Sequence, residues 1–506
     1  MQSYTGNYFC TWLSQYKTLP TYEAGCDVTN VRDRMCADFM WGERGLLHAI
    51  DTRVRGDITV LLDDGWDVPF GTTSKKEDRH RFGSLIPDEK RFPDCKGKPA
   101  ERLLKISEKV KSLGYRGLGL WICCNLAEEN ENGEKKIMTA SEAEKFWIRN
   151  AKISNEAGIL YWKVDWGYHD RDIEYREMLT KVVKKYAPNL RIEHSLMQNC
   201  FNSKTDENYR HAIKNILAVS DYLRTYDCVE ELMYPITLSR TAELLREDYT
   251  PSCECRGIPN IEDLPILGAA LGCSMGIMRH KAGYWNELCL DRADVAHRSN
   301  EVARSLIWHR VAPPFGCRET SVYISDEVLT DRWKFDVHPL DWTYNIIGGK
   351  TLDSSAPAVI SRGTPPPRID NECLQKPFVV ASKNPNGAYS IATLPRTTEN
   401  EKFIEYKCAV TAEAGDDTHP IGIFGRYEKL TLSFDRDLSG KRIYACDILA
   451  FADGEFGDIA KMTDITEKTE LKKNTLSLSG DLLWKTGTQL QSDGDRSSPA
   501  CVLIIK

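Results

Sequence analysis

Hydrophobic positions in the first 310 residues or so follow two alternating rhythms: short apolar runs, and longer stretches with helical spacing. The short runs are Tyr8 to Ser14, Ile58 to Trp66, Tyr115 to Cys123, Gly158 to Gly167, Leu190 to Ser195, a segment within Ile216 to Asp227, Asn260 to Leu267, and Cys273 to Met278. With so little polar surface, a strand such as Gly158 to Gly167 reads as covered on both faces, as in parallel sheets. Between the runs, helical spacing predicts helices over Val31–Ile50, Pro99–Leu113, Thr139–Ala157, Arg171–Tyr186, Ile236–Glu247 and Ala293–Val311. Pro99 opens the second of these and Gly114 follows its end, while Ser141 with Glu144 reads as a capping box for the third. Eight strands alternating with helices or long loops predict an α/β fold, a (β/α)8 TIM barrel over residues 1–330.

The rhythm then changes. The segment 331–375 reads as a connection, with Ser, Ala, Gly and the run Pro365-Pro366-Pro367. From Pro377 onwards short strands alternate with turns, as at Phe378, Tyr389, Lys429, Arg442 and Cys501, which predicts a C-terminal antiparallel β-sandwich domain over 376–506.

Candidate chemistry sits at the ends of the barrel strands. Lys163 and Asp165 are two residues apart and therefore share a face. They read either as a structural ion pair or as a nucleophilic carboxylate kept ionised by its cationic neighbour. Barrel enzymes place their chemistry at the C-terminal ends of the strands. There the sequence offers Trp12, Asp63-Asp64-Gly65-Trp66, Trp121, Lys163, Asp165, His194, Arg224, Asp227, Glu262 and Asp263, with Asp221 earlier on the sixth run. No nucleophilic triad and no phosphate-cradling glycine loop is present in the pattern. Tryptophan faces suit the apolar faces of sugar rings, and a pair of carboxylates can split a glycosidic bond.

Composition narrows the partners. The 506 residues carry a net charge of -7, which argues against nucleic acid as a partner. No apolar run reaches the ~20 residues of a membrane span, so no membrane partner is expected. The start Met1-Gln-Ser-Tyr-Thr-Gly6 lacks a signal-like pattern, and the 17 scattered cysteines fit a reduced, cytoplasmic protein. Neither Cys253-Glu-Cys255 nor Cys123-Cys124 has paired-knuckle spacing, so no metal and no cofactor is expected.

Several segments, in order and spacing, resemble one known group. They are Leu62-Asp-Asp-Gly-Trp66, Gly83 to Pro93, Lys111 to Trp121, and Lys163-Val-Asp165, with the acidic Asn260 to Leu264. The chain resembles the α-galactosidase-type (melibiase-type) glycoside hydrolases of clan D, families 27 and 36, over about residues 8–280. The two-part architecture is closer to family 27. The resemblance implies a retaining exo-α-glycosidase that hydrolyses terminal α-D-galactosides by double displacement. A glycoside is then the expected partner, and a homo-oligomer is compatible with it.

Carried over residue by residue, the resemblance makes Asp165 the nucleophile and Lys163 a sugar contact. It makes Asp63 and Asp64 the acid pair that holds hydroxyls, Trp12 and Trp66 the pocket walls, and Arg224 the arginine preceding the acid/base. Trp121, His194 and Asp263 are further substrate-binding candidates. The chain departs from the family where the acid should fall four residues after Arg224, because Cys228 stands there. Asp227, one residue earlier, is the expected acid/base, and Asp221 is its rival. Each site also has a bland reading. Asp63-Asp64 reads as a strand-end turn that caps a helix, Arg224 as the partner of a barrel acid, Trp66 and Trp121 equally well as core residues, and His194 as a satisfied interior histidine. Relatives with altered pockets, namely α-N-acetylgalactosaminidases, β-L-arabinopyranosidases and sugar-transferring enzymes, are the alternatives, as is a silent carbohydrate-binding protein.

Overall fold

Eight short parallel strands close on themselves. In the computed structural model they are Tyr8–Cys10, Thr59–Leu62, Gly117–Ile122, Tyr161–Val164, Arg191–His194, Tyr222–Arg224, Ile258–Glu262 and Ser274–Ile277, called here the first to eighth strands. Each pairs in parallel with its neighbour in the chain, and the first pairs with the eighth through Tyr8 opposite Gly276. The described residues are 4–17, 28–73, 75, 78, 81–124, 127–129, 135–169, 172–195, 207–225, 234–278, 298–334, 351–370, 372–397, 404–453 and 456–506.

The helices follow the apolar spacing with instructive exceptions. The stretch Val31–Ile50 is not one helix but three short pieces, Val28–Arg34, Ala37–Trp41 and Leu46–His48. Gly42 and Gly45 fall within it, and a side chain at either would strike backbone of the preceding turn at 2.5 Å. Pro99–Ser112 begins on its proline as expected. Ala140–Glu156 is capped two residues earlier than expected, by Thr139 and Glu142 rather than Ser141 and Glu144. The Thr139 amide donates to Glu142 Oε2 at 2.8 Å and the Glu142 amide donates back to Thr139 Oγ1 at 3.3 Å. Two helices take over ground that read as strand: Glu207–Val219 ahead of the sixth strand and Pro265–Leu271 after the seventh. The latter starts on a proline, the residue best tolerated at a first helical position.

The C-terminal part holds an eight-stranded and a five-stranded sheet whose apolar faces share a core of residues such as Ile391, Ile423, Leu430, Leu432 and Leu503. Both sheets are mixed rather than purely antiparallel, since Val359–Arg362 runs parallel to Phe378–Lys383 and Ala409–Gly415 parallel to Lys429–Phe434. The connecting segment carries strands too. Thr351–Pro357 pairs with Val328–Lys334, and Val359–Arg362 is wholly buried in the larger sheet. Its four residues alternate poorly but are flanked by strands on both sides, and that pairing outweighs the loop-like composition around it.

One buried ion pair ties the parts together. Arg304, on helix Ser299–His309, grips Asp447 at the end of strand Ile443–Asp447 with two bonds of 3.0 and 2.8 Å. Cys373 and Cys408 form a disulfide, Cα atoms 6.0 Å apart, so the expectation of a reduced chain does not hold for this pair. Among the described residues no helix is long and apolar enough to cross a membrane.

Candidate active site

All eight strands run the same way, so their C-terminal ends gather at one mouth. Asp63 and Asp64 follow the second strand, Trp121 lies near the end of the third, Lys163 lies near the end of the fourth and Asp165 just past it. Ser195 follows the fifth, Arg224 ends the sixth, and Glu262 ends the seventh. The register explains how they meet: Trp121 stands opposite Lys163, and Lys163 opposite Glu193.

Asp165 is the focus. Its side chain keeps one-fifth of its surface exposed, unlike its charged neighbours Lys163, Asp63 and Arg224, which keep 4% or less. The Trp121 indole N–H donates to Oδ2 at 3.0 Å, and the Ser195 hydroxyl, whose one hydrogen is shared with the Val164 carbonyl at 2.9 Å, donates to Oδ1 at 3.1 Å. Arg224 Nη2 faces Oδ1 at 3.7 Å. Burial alone would raise this carboxyl, but the charges of Arg224 and Lys163 and the two donors outweigh it, and its pKa is lowered. A unit charge at about 4 Å is worth roughly 4 kcal/mol at an effective dielectric of about 20, the scale needed to win that contest. Asp165 is therefore an ionised, partly exposed carboxylate at neutral pH.

Lys163 does not form its close contact with Asp165. Its ammonium lies 2.7 Å from Asp63 Oδ2, deep at the mouth, and 3.7 Å from Cys10 Sγ. The Cys10 thiol itself donates to Asp63 Oδ2 at 3.0 Å. Burial and Arg224 work against the ammonium, yet Asp63, Cys10 and Asp165 raise its pKa overall. Asp63 is fixed further by the Thr11 hydroxyl, which accepts from its backbone amide at 3.0 Å.

Asp64 is turned toward Arg32, whose Nε donates to its Oδ2 at 2.8 Å. Burial is the larger influence, and despite Arg32 the carboxyl is pushed up to about 6. Gly65 makes this turn possible: its φ is +117°, and a Cβ there would lie 2.6 Å from the Arg32 carbonyl oxygen. The loop beyond is built rather than slack. Asp67 Oδ2 accepts from the amides of Gly83 and Leu85, both at 3.2 Å, and burial pushes this carboxyl up to about 7. Arg91 is buried beneath the loop and donates to the carbonyls of Val68, Arg32, Met35 and Pro69.

The aromatic candidates separate. Trp12 is half-buried at the exit of the first strand. Trp121 presents its N–H to Asp165 and packs in a small cluster with Val68, Phe82 and the half-buried Trp166. Trp66 is no pocket wall: it has no exposure, lies in the main core, and donates to the Trp121 carbonyl at 3.0 Å. After the Gly65 turn its ring points back under the third strand.

Three further expectations are corrected by placement. His194 faces away from the mouth, with Nδ1 3.1 Å from Arg176 and Nε2 2.9 Å from the Thr180 hydroxyl, both on helix Ile173–Tyr186. Burial, with Arg176 beside it, pushes its pKa well below the usual histidine range. Asp221 precedes the sixth strand at the opposite end of the barrel, where it pairs with Lys184 and accepts from the Ile192 amide at 3.1 Å. Asp263 adopts φ +54° just past the seventh strand and accepts from the Met278 amide at 2.7 Å, stitching two strand ends together. Asp227 lies outside the described residues, as does Cys228.

The fifth strand instead sends Glu193 inward, and Ser195, two residues on, reaches Asp165. The sequence did hold a signal for this. Ile192 and His194 share one face of the strand and Glu193 and Ser195 the other, and Ile192 belongs to the core on the helix side. Among the described residues no group of three or more His, Cys, Asp or Glu side chains is arranged to hold a metal ion.

No protein-family model matches the chain, and no curated protein matches it. Solved structures do match it along its length. A β-L-arabinopyranosidase of glycoside hydrolase family 27 from Geobacillus stearothermophilus is 11% identical with a TM-score of 0.41, covering 99% of this chain and 97% of that one. A proposed α-N-acetylgalactosaminidase from Bacillus halodurans is 11% identical with a TM-score of 0.38, covering 98% and 96%. A proposed α-galactosidase from Bacteroides fragilis is 10% identical with a TM-score of 0.40, covering 99% and 78%. An α-amylase from Anoxybacillus reaches the same 0.41. These four are named as glycosidases of more than one specificity.

Proposed function

We propose that this protein is a retaining glycoside hydrolase that removes a terminal α-linked sugar, with an α-D-galactoside as the first substrate to test. The observation that carries the reading is the setting of Asp165: a carboxylate at the open end of a parallel barrel, ionised, partly exposed, and oriented by two neutral donors. A nucleophile needs those properties together, whereas a structural ion-pair partner would sit in close contact with its cation, as Asp63 does with Lys163.

In the proposed reaction Asp165 attacks the anomeric carbon as the bond to the leaving oxygen breaks. A second carboxylic acid gives that oxygen its proton, and the sugar becomes an ester of Asp165. The second carboxylate then takes a proton from water, which attacks the same carbon and releases Asp165. Asp227, two residues after Thr225 in the chain, is proposed for this acid/base role. Asp63 and Lys163 line the inner end of the site as hydroxyl-binding groups.

A panel of 4-nitrophenyl α-glycosides differing at C2, C4 and C5 tests the reading. Turnover fastest with the α-D-galactoside, with the α-anomer formed first by proton NMR, is the expected result. A β-anomer formed first would refute retention. Saturable binding without turnover of any member would instead make the chain a carbohydrate-binding protein.

A further inference from the structure

Below the mouth lies a carboxylate that the proposed reaction does not use. Glu193 has no exposed surface. The Tyr161 hydroxyl donates to its Oε2 at 2.7 Å and the Tyr8 hydroxyl to its Oε1 at 3.3 Å. The same Oε1 faces Arg224 Nε at 3.5 Å. The other two nitrogens of that guanidinium face Asp165 Oδ1 at 3.7 Å and Glu262 Oε1 at 3.6 Å. Among the described residues Arg224 therefore faces three carboxylates, of which Asp165 is the one at the reacting position.

Removing one partner of a buried charge cluster leaves an uncompensated charge, which is far more costly than the cluster itself is favourable. A nucleophile does this to itself in every cycle, because Asp165 loses its charge when it becomes an ester. Arg224, 2% exposed, would then be left short of negative charge unless other carboxylates hold it. We propose that Glu193 is a positioning residue: it keeps the Arg224 guanidinium in place and compensated while Asp165 alternates between carboxylate and ester. The tyrosine pair explains how a fully buried Glu193 is itself held in one orientation. The inference rests on the reading of Asp165 as nucleophile.

Glu193→Gln tests it, because the amide keeps the size and an acceptor for Tyr161 but carries no charge. Without that charge the field of Arg224 falls more fully on Asp165. The acid limb of the kcat/KM profile should then move to lower pH, by about half a unit or more, and the plateau should fall roughly tenfold or more. Glu193→Asp restores the charge, so its limb should return to the wild-type position while its plateau stays low, since the shorter side chain cannot reach Arg224. A folded Glu193→Gln protein with wild-type limb and plateau overturns the proposal. So does an equal fall in both variants with no movement of the limb, which would make Glu193 a packing residue only. If Glu193→Gln does not fold, Glu193→Asp decides alone: a wild-type plateau in it overturns the proposal. Trapping wild type and variants with 5-fluoro-α-D-galactosyl fluoride and mapping the labelled peptide keeps the two readings apart. Label on a residue other than Asp165 defeats the nucleophile assignment, whereas label on Asp165 at the wild-type rate in Glu193→Gln defeats only the role of Glu193.

Discussion

Lys163 Nζ lies 2.7 Å from Asp63 Oδ2, across the barrel mouth from the strand that carries it. This contact divides the labour at the site. Lys163 is committed to Asp63, and the nearer cation for Asp165 is Arg224, at a looser 3.7 Å. A loose partner suits a carboxylate that must be free to form a covalent bond, and a tight partner suits one that must stay put.

Asp165→Asn should lower turnover by roughly a thousandfold or more while leaving the melting temperature nearly unchanged. The amide oxygen can accept from one of the two donors, Trp121 or Ser195, but the group cannot attack carbon. Steady-state rates with an activated aryl glycoside, with circular dichroism as the control for folding, check this; activity near wild type refutes the assignment.

The acid/base is tested by contrast. Asp227→Ala should cripple substrates with poor leaving groups far more than activated aryl ones, and azide should restore the second step. Asp221→Ala should show neither effect and only destabilise, by about 1–2 kcal/mol, since it strips Lys184 and the Ile192 amide of their partner. Azide rescue in Asp221→Ala would mean that the barrel end has been misassigned.

Asp67 gives a pH dependence of stability with a definite sign. Its folded pKa, about 7, lies above the unfolded value of about 3.9. Between those values the folded state binds a proton that the unfolded state does not, so Asp67 makes stability fall as pH rises through that window. Buried His194 and His309 act oppositely, because their folded pKa values are lowered, and stability is lost as pH drops below about 6.5. The contrast between proteins is therefore the test. Asp67→Asn should be more stable than wild type at pH 8 by on the order of 1–2 kcal/mol, with the gain vanishing near pH 4. Urea denaturation at the two pH values measures it, and an equal difference at both would refute the origin.

Arg32→Met should destabilise the fold by about 3–5 kcal/mol at pH 8 and less at pH 5, because it leaves the Asp64 carboxylate buried without its cation. The Asp64 carboxyl is at about 6 even with Arg32 beside it and rises further without that cation, so at pH 5 it takes up a proton and the cost shrinks. A pH-independent loss would point to packing alone.

Much of this was legible along the chain because the responsible forces are local. Apolar runs, a proline at a helix start and glycines after strands report burial and backbone freedom residue by residue. They placed all eight barrel strands within a few residues, and the spacing of Lys163 and Asp165 told that the two share a face. The choices that went astray were those a few residues of sequence cannot settle. Whether Glu193 or His194 faces inward depends on which face of the fifth strand meets helix Ile173–Tyr186, and there His194 finds Arg176 and Thr180. Whether Trp66 walls a pocket depends on the direction in which the Gly65 turn throws its ring. Asp221 and Arg224 look alike as charged residues of one strand, yet the chain between them spans the height of the barrel, and only one end is the mouth.

By itself, then, the order of residues determined the alternation of strands and helices, the closed parallel barrel, and the set of charged groups at its rim, because hydrophobic periodicity and turn chemistry act within a few residues. Tertiary structure alone decided which of those groups meet. Arg224 ends 3.5 to 3.7 Å from Glu193, Glu262 and Asp165, residues 31, 38 and 59 positions away, only because closure of the barrel brings four different strand ends to one point. Long-range electrostatics of that kind has no periodic signature, since it depends on register between strands and on burial, and both arise only when the sheet is complete.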